Sequence, residues 1–435
     1  MSALRDRLRA VVGRAAPHPS GMAPAAQAPA ADRGVAAGID AALGGAWRGD
    51  QSGRCYVVER RCDPSARHGR ETVGALAARF QAAAGDAPLL CGGAAARPPF
   101  VFLDLETTGL SGGAGTHAFL VGCGAFADDG GFVTRQFLLT RAGDERAVLA
   151  ATAEELAGAG ALVTFNGKSF DAPLLETRYL FHRLRWPAGT VPHVDVLHPA
   201  RRFWGASPLR AAWAGTRARG AGPAQAPRAC SLGELEHGVL GARRTGDVAG
   251  CEIPGRYFAF VREGDARPLA PVLEHNRLDL LSLAALTARM LCLLRRGPAA
   301  ARDAQEMLAL GRIYARGGLD APARQAFEAA ASAGGGALRV EALRQLALAW
   351  RRARRHEDAA SCWRALLDAR GCPPHLAAEA MEALAVHHEH RTRDLAAARA
   401  LALGSLGRGA QAAALQHRLA RLDRKMERSG CRPER

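Results

Sequence analysis

Short apolar segments alternate with helical patterns through the first two thirds of the chain. Segments rich in Val, Leu and Phe and bounded by turn residues predict β-strands at 100–105, 118–126, 132–139, 162–165 and 191–196. Apolar residues at helical spacing predict helices at about 143–158 and 172–184, before and after the fourth strand. This order favours an α/β domain with a mixed sheet and helices on its faces.

The rest of the chain has a helical pattern. Residues 269–294 are apolar nearly all round the helix, which predicts burial. Beyond residue 297 the pattern repeats with shifts of 36 and 38 residues, in the aligned sets Leu310, Tyr314, Phe327; Leu346, Trp350, Trp363; and Leu384, His388, Leu401. Each repeat fits two helices joined near Gly318, Arg355 or Thr392. These units resemble tetratricopeptide-type helical hairpins, which bury a shared core when stacked.

These patterns divide the 435 residues into three parts. Residues 1–45 are mostly Ala, Gly, Pro and Arg, and we expect them to be largely disordered. Residues 46–296 form the α/β domain, with a low-complexity insertion at about 205–229. Residues 297–435 form an all-α helical-repeat domain.

Composition and charge narrow the functional classes. A hydrophobic fraction of 48% excludes a wholly disordered chain. No apolar run reaches about 18 residues and no signal-peptide core follows the N-terminal arginines, so we expect neither membrane insertion nor export. Ten cysteines without a Cys-x-x-Cys pair indicate reduced thiols in a cytoplasmic protein. The net charge of +16 favours a polyanionic partner such as nucleic acid.

Two carboxylates stand at the end of the strand at 100–105. Asp104 and Glu106 are two residues apart, so both side chains point to one face of the strand. Like charges at the end of a buried strand are unfavourable unless a cation joins them, and hard oxygen ligands suit Mg²⁺ or Mn²⁺. The alternative is a strand end with two solvated acids.

The residues around these acids carry a family resemblance. The string Asp-Leu-Glu-Thr-Thr-Gly at 104–109 resembles the first motif of DEDD-type 3′–5′ exonucleases, which belong to the ribonuclease H-like superfamily. The resemblance implies that Asp104 and Glu106 bind catalytic metal. It also implies that Thr107, Thr108 and Gly109 lie against the terminal nucleotide of the substrate.

A second motif follows the strand at 162–165. The string Asn-Gly-Lys-Ser-Phe-Asp at 166–171 is similar to the family's second motif, whose Asp contributes to metal binding. On this resemblance Asp171 is a metal ligand, and we expect Asn166 and Lys168 to contact substrate. The residue pattern also allows Asp171 to be an ordinary N-cap, because Pro173 follows it in a first helical turn.

The third motif lies on the long apolar helix. His275 and Asp279 are four residues apart and share a helix face, and a buried Asp needs a partner such as a metal. The alternatives for His275 are an exposed side chain or a core side chain bonded to backbone. His275 stands at the spacing that Tyr has in one DEDD group. An imidazole at this position could act as the general base on the attacking water.

Strings farther along sharpen the resemblance. The segments at 230–236, 244–250, 252–257 and 275–279 occur in the order found in bacterial ribonuclease H-like domain proteins described as YprB-like. The resemblance covers about residues 50–295.

Two further clusters are basic. Arg201 and Arg202 beside Trp204 could hold phosphate and stack a base, although a solvated helix face is an equal alternative. Arginines at 351, 352, 354 and 355 gather on a repeat turn, where they form either a solvated face or a nucleic-acid contact.

Four carboxylates from three segments, Asp104, Glu106, Asp171 and Asp279, can hold two divalent cations per site. We therefore predict a metal-dependent 3′–5′ exonuclease that acts on single-stranded ends of DNA or RNA by a two-metal mechanism. An endonuclease would use the same metal chemistry. The alternatives are a catalytically inactive nucleic-acid-binding protein and an interaction scaffold in which the repeats bind a protein partner.

Overall fold

A computed structural model describes residues 38–50, 53–109, 115–205, 230–405 and 412–428. Its central sheet has seven strands in the order β1-β2-β7-β6-β5-β8-β9. Their bounds are β1 Ala46–Asp50, β2 Gly53–Cys62, β5 Phe100–Thr107, β6 Ala118–Phe126, β7 Phe132–Leu138, β8 Ala161–Thr164 and β9 His193–Asp195. A separate two-stranded ribbon joins β3 Arg67–His68 to β4 Glu71–Thr72.

The sheet is mixed, as the order of elements predicts. Strands β1, β2, β7, β6 and β5 pair antiparallel, whereas β8 and β9 extend the sheet in parallel beside β5. Parallel neighbours need a crossover, and helices supply it. The helices of this part are α1 Val73–Ala83, α2 Glu145–Leu156, α3 Asp171–Phe181, α4 Leu197–Trp204, α5 Leu232–Leu235, α6 Ile253–Glu263 and α7 Ala270–Arg296.

Alternation along β5 divides the core between the two faces of the sheet. Phe102 packs with α1 and α7 on one face, whereas Leu103 and Leu105 pack with α3 and α6 on the other. Helix α7 is buried on all sides between Leu280 and Leu294, as its apolar sequence predicts. The predicted α/β architecture is confirmed.

The C-terminal part is all-α, which confirms the second half of the predicted architecture. Its helices are α8 Ala304–Arg316, α9 Asp320–Ala333, α10 Gly336–Arg352, α11 His356–Leu367, α12 Pro374–His387, α13 Leu395–Ser405 and α14 Ala412–Arg428. The connections at 317–319, 353–355 and 388–394 coincide with the turns predicted near Gly318, Arg355 and Thr392. The likeness to tetratricopeptide hairpins stays a prediction.

One core runs across the predicted boundary at residue 297. A single hydrophobic cluster extends from β5 and α1 through α7 to α12. Buried Glu306 on α8 accepts hydrogen bonds from Trp204 Nε1 at 2.9 Å and from Arg289 at 2.7 Å. Trp204 is therefore a core residue, and the expectation that it could stack a base is wrong. The boundary itself stays a prediction.

Two predicted segments extend beyond the described residues. Most of the segment expected to be disordered, residues 1–37, and nearly all of the expected insertion, residues 206–229, lie outside them. Residues 38–43 are helical and lead into β1. Within the described part of the chain, no helix combines the length and the apolar content that crossing a bilayer requires.

Candidate active site

The site is built at the end of β5, where buried strand gives way to loop. Asp104 and Glu106 are half-buried, whereas Leu105 between them is buried on the other face. Asp104 lies opposite Gly122 of β6 in the antiparallel register. The predicted sharing of one face by Asp104 and Glu106 follows directly from this alternation.

Two helices bring further acids to this strand end. Asp171 is the first residue of α3, and the capping position belongs to Phe170, so Asp171 is not the N-cap that the local pattern allowed. Asp279 lies on α7. Glu106, His275 and Asp279 each offer a ligand atom, and these atoms lie within 4.8 Å of one another. Residues separated by about 170 positions of sequence thus meet in one pocket.

Burial disfavours the ionisation of all four acids, and repulsion within the set adds to this effect for Asp104 and Glu106. Burial, reinforced by the charges of Asp279, Glu106 and Asp171, raises the pKa of Asp104 well above its usual range. Burial and the charges of Asp279 and Asp171 raise the pKa of Glu106 to about 8. Burial, with a smaller effect from Asp195, raises the pKa of Asp171 to about 7.

Arg244 supplies the positive charge of the pocket. It ion-pairs with Asp279 and Glu236, and its Nη1 lies 3.3 Å from Asp247 Oδ2. Burial works against the charge of Arg244, but the bonds to Glu236 and Asp279 outweigh it and raise the pKa of the guanidinium. Burial also disfavours the charged form of Asp279 and raises its pKa, although Arg244 and His275 oppose that shift. No local sequence pattern links Arg244 to Glu236 or Asp279, which lie 8 and 35 residues away along the chain.

His275 lies between two carboxylates. Its Nδ1 is 2.7 Å from Asp247 Oδ1, and its Nε2 is 3.5 Å from Asp279 Oδ2. A carboxylate beside Nδ1 favours the tautomer that carries its proton there, which leaves Nε2 free to accept a proton. His275 is therefore neither a solvated side chain nor a core residue bonded only to backbone.

Asn276 is a site residue that the sequence reasoning missed. It is fully buried, and its Nδ2 donates to Asp104 Oδ2 at 2.8 Å. Its own Oδ1 accepts from Gln136 Nε2 at 2.9 Å, so the amide is held from both sides. A Cβ at Gly122 would come within 2.1 Å of Asn276 Oδ1, which explains the glycine opposite Asp104. The signal that could have revealed this residue is the occurrence of a polar amide at a position of α7 that the helical pattern buries.

The residues expected to contact substrate lie on two loops at the pocket. Thr107 Oγ1 donates to the Gly109 carbonyl at 3.0 Å, and Thr108 pairs with the backbone of His117. The amides of Asn166 and Lys168 donate to Asp195 at 2.8 and 3.1 Å, and the Lys168 side chain is exposed. Asn166 has φ +68°, a left-handed turn conformation that Asn tolerates.

A second buried carboxylate lies on α2, close to the same loops. Glu145 accepts from Arg178 Nε at 2.7 Å and from His182 Nε2 at 2.7 Å, and His117 Nδ1 lies 3.1 Å away. Burial opposes ionisation, but the bonds from Arg178 and His182 outweigh it, and the pKa of Glu145 is lowered. This carboxylate is fully compensated by the protein.

The donor set at the end of β5 fits a divalent cation. Mg²⁺ and Mn²⁺ prefer carboxylate oxygens, and this pocket gathers four of them. Among the described residues, the basic side chains within ion-pair distance of this set are Arg244 and His275, and both reach Asp279 alone of the four acids. Burial is the main cause of the raised pKa values of Asp104, Glu106 and Asp171, and a bound cation would favour their ionised forms.

Comparison with known proteins agrees with this architecture. Residues 101–291 match the model of a family described as the RNase_H superfamily. A protein of Bacillus subtilis strain 168, named uncharacterized protein YprB, is 37% identical over 190 residues. That match covers 43% of this chain and 41% of the relative, so it spans about two fifths of each. The mixed sheet with its flanking helices is therefore a ribonuclease H-like fold, and an all-α region follows it.

Proposed function

We propose that the protein is a metal-dependent nuclease that removes nucleotides from the 3′ end of single-stranded nucleic acid. The observation that carries the proposal is the convergence of four carboxylates, those of Asp104, Glu106, Asp171 and Asp279. The protein supplies little positive charge to compensate them. The 3′–5′ direction rests on the resemblance of the motif at 104–109 to DEDD exonucleases.

In this proposal each side chain has a task set by its chemistry. The four carboxylates supply oxygen ligands to two Mg²⁺ or Mn²⁺ ions, which would acidify the attacking water and stabilise the leaving 3′ oxygen. His275 accepts the proton of that water at Nε2, because Asp247 holds the proton on Nδ1. Asn276 holds the Asp104 carboxylate in one orientation. The loops of Thr107 to Gly109 and of Asn166 to Lys168 would contact the terminal nucleotide.

The test is cleavage of a single-stranded 20-nucleotide DNA or RNA that carries its label at either end. A 3′–5′ exonuclease releases a labelled mononucleotide from the 3′-labelled strand and a descending ladder from the 5′-labelled strand. Mg²⁺ or Mn²⁺ should be required, and a chelator should stop the reaction. An endonuclease would instead give internal fragments from both strands.

Asp104→Asn should abolish this cleavage, and Asp265→Asn is the matched control. Asp265 is an acid that pairs with Arg267 on the surface, away from the pocket. Activity that survives Asp104→Asn, or that needs no metal, would refute the proposed mechanism.

One observation favours a second candidate, a catalytically inactive nucleic-acid-binding protein. The guanidinium of Arg244 is bonded to Asp279, so a cation must compete with it for this ligand. If the inactive candidate is correct, purified protein binds the oligonucleotide without cleaving it at any metal concentration. Arg244→Gln separates the two cases, because it removes the guanidinium that competes with a cation for Asp279. The metal concentration that an active enzyme requires should then change, whereas an inactive protein should still cleave nothing.

A further inference from the structure

A groove lies where α4 meets the C-terminal helices α8 and α10. Its volume is about 550 Å³, and we call it the arginine groove after its lining, which consists of Arg202, Arg312, Ala315, Arg316, Gln345 and Arg352. Neither a carboxylate nor an aromatic ring belongs to that lining among the described residues. The groove therefore presents a concentrated positive charge.

The charge of the arginine groove is largely uncompensated. Arg312 ion-pairs with Glu341 at 2.6 Å. In the part of the chain that the structure describes, Arg202, Arg316 and Arg352 have no carboxylate within ion-pair distance. Burial and the neighbouring Arg316 lower the pKa of Arg202, and burial and Arg312 lower that of Arg316. Guanidinium groups that repel one another in a groove indicate an anionic ligand.

The arginine groove is connected to the candidate active site through α4. This helix begins two residues after Asp195, whose carboxylate holds the loop of Asn166 and Lys168. A rise of about 8 Å separates Leu197 from Arg202 along the helix. Gln305 Nε2 of α8 donates to the Arg202 carbonyl at 3.1 Å, which fixes this end of α4 against the C-terminal helices.

We propose that the arginine groove binds the phosphodiester backbone of the single-stranded nucleic acid whose end occupies the candidate active site. The choice of ligand rests on the proposed function. Arginine suits this task because its planar fork matches two phosphate oxygens at once. With no aromatic ring for stacking, the groove reads phosphates rather than bases, so binding is independent of sequence. The repeats thus serve the nuclease domain as a backbone clamp.

The test measures binding of a fluorescein-labelled (dT)20 strand by anisotropy, with full-length protein that carries Asp104→Asn and with chelator present. The double variant Arg202→Gln with Arg316→Gln should weaken binding about tenfold. It should also reduce the salt slope of log Kd by about 1.4, since each phosphate contact in a single strand contributes about 0.7. Arg202→Lys with Arg316→Lys keeps the charge and should retain most of the salt slope.

The control is Arg262→Gln with Arg296→Gln, which removes two exposed arginines outside the groove. Equal affinities and salt slopes for the groove and control variants would overturn the proposal. An acidic peptide of equal charge that binds tighter than (dT)20, and that alone depends on Arg202 and Arg316, would also overturn it, because the groove would then bind protein.

Failure of this proposal and failure of the proposed function are distinguishable. Groove-dependent binding by a protein that never cleaves would keep the clamp and reject the nuclease. Metal-dependent cleavage by a protein whose binding ignores Arg202 and Arg316 would do the reverse.

Discussion

The protein buries carboxylates in two neighbouring pockets and treats their charge in opposite ways. Glu145 is surrounded by Arg178, His117 and His182, and its pKa is lowered. Asp104 and Glu106 face other acids, and their pKa values are raised. A buried charge that the protein compensates stabilises the fold, whereas a buried acidic cluster without such compensation indicates a candidate ligand site.

The largest expected effect is the loss of activity on Asp104→Asn. Removal of one metal ligand forfeits several kcal/mol of transition-state stabilisation, so the cleavage rate should fall by about 10³-fold or more. Thermal stability in chelator should stay the same or rise, because a repelling charge is gone. If Asp104→Asn lowers the thermal stability, Asp104 stabilises the fold as Glu145 does, and the two carboxylates do not differ in this respect.

The complementary change, Glu145→Gln, should destabilise the protein by about 3–5 kcal/mol. The reason is that Arg178, which is 3% exposed, would lose the Glu145 carboxylate that compensates its buried charge. Urea unfolding followed by circular dichroism measures the effect. Glu59→Gln, at a surface acid paired with Arg135, is the control and should change the free energy of unfolding by less than about 1 kcal/mol. An equal cost at both positions would contradict the assignment of Glu145 as a compensated core charge.

The pH dependence of stability also distinguishes Glu106, whose pKa is raised, from Glu145, whose pKa is lowered. The pKa of Glu106 is about 8 in the folded protein and near its ordinary value of 4.5 in the unfolded chain. Between those values the folded protein binds the extra proton, so this group's contribution to stability falls as pH rises through that window. In chelator, wild type should lose roughly 2–3 kcal/mol more than Glu106→Gln between pH 5 and pH 8, with solvent screening allowed for.

Urea titrations of both proteins at the two pH values give this difference directly. Added Mg²⁺ or Mn²⁺ should remove the loss in wild type, because a bound cation favours the ionised carboxylate. If the free energy of unfolding changes equally with pH in wild type and Glu106→Gln, the pKa of Glu106 is not raised in the folded protein.

The smallest expected effect concerns the support of the site. Asn276→Ala removes the donor to Asp104 Oδ2 and one of the two acceptors of Gln136 Nε2, the other being the Leu273 carbonyl. We expect kcat to fall about 10-fold to 100-fold. The metal concentration needed for half-maximal activity should rise, which a purely structural defect would not cause. Asn276→Asp restores an acceptor for Gln136 but not the donor to Asp104, and it should leave kcat equally low.

Local patterns predicted the parts of the molecule that depend on neighbours in sequence. The shared face of Asp104 and Glu106 follows from strand alternation, and the burial of α7 follows from its apolar surface. The turns near Gly318 and Arg355 follow from the helical period. The convergence of Asp279 with β5 came only from the family resemblance, because no local rule joins residues so far apart.

The sequence could not supply the partners of each charge. The polar Asn276 at a buried position of α7 did not reveal its partner Asp104, and Trp204 was expected at a surface but bonds Glu306 in the core. Both errors have one cause, since burial and pairing depend on which elements pack together. A local pattern describes one face of one element and says nothing about the residue that meets it.

The chain by itself thus determined the order of strands and helices, the positions of the acids and the excess of arginine. Only the tertiary structure decided that Glu145 pairs with Arg178 and Asp279 with Arg244, whereas Asp104 and Glu106 face other acids. It likewise gathered Arg202, Arg316 and Arg352 from three helices into one groove. The physical reason is that the cost of a buried charge depends on its surroundings within a few ångströms, and long-range packing creates those surroundings.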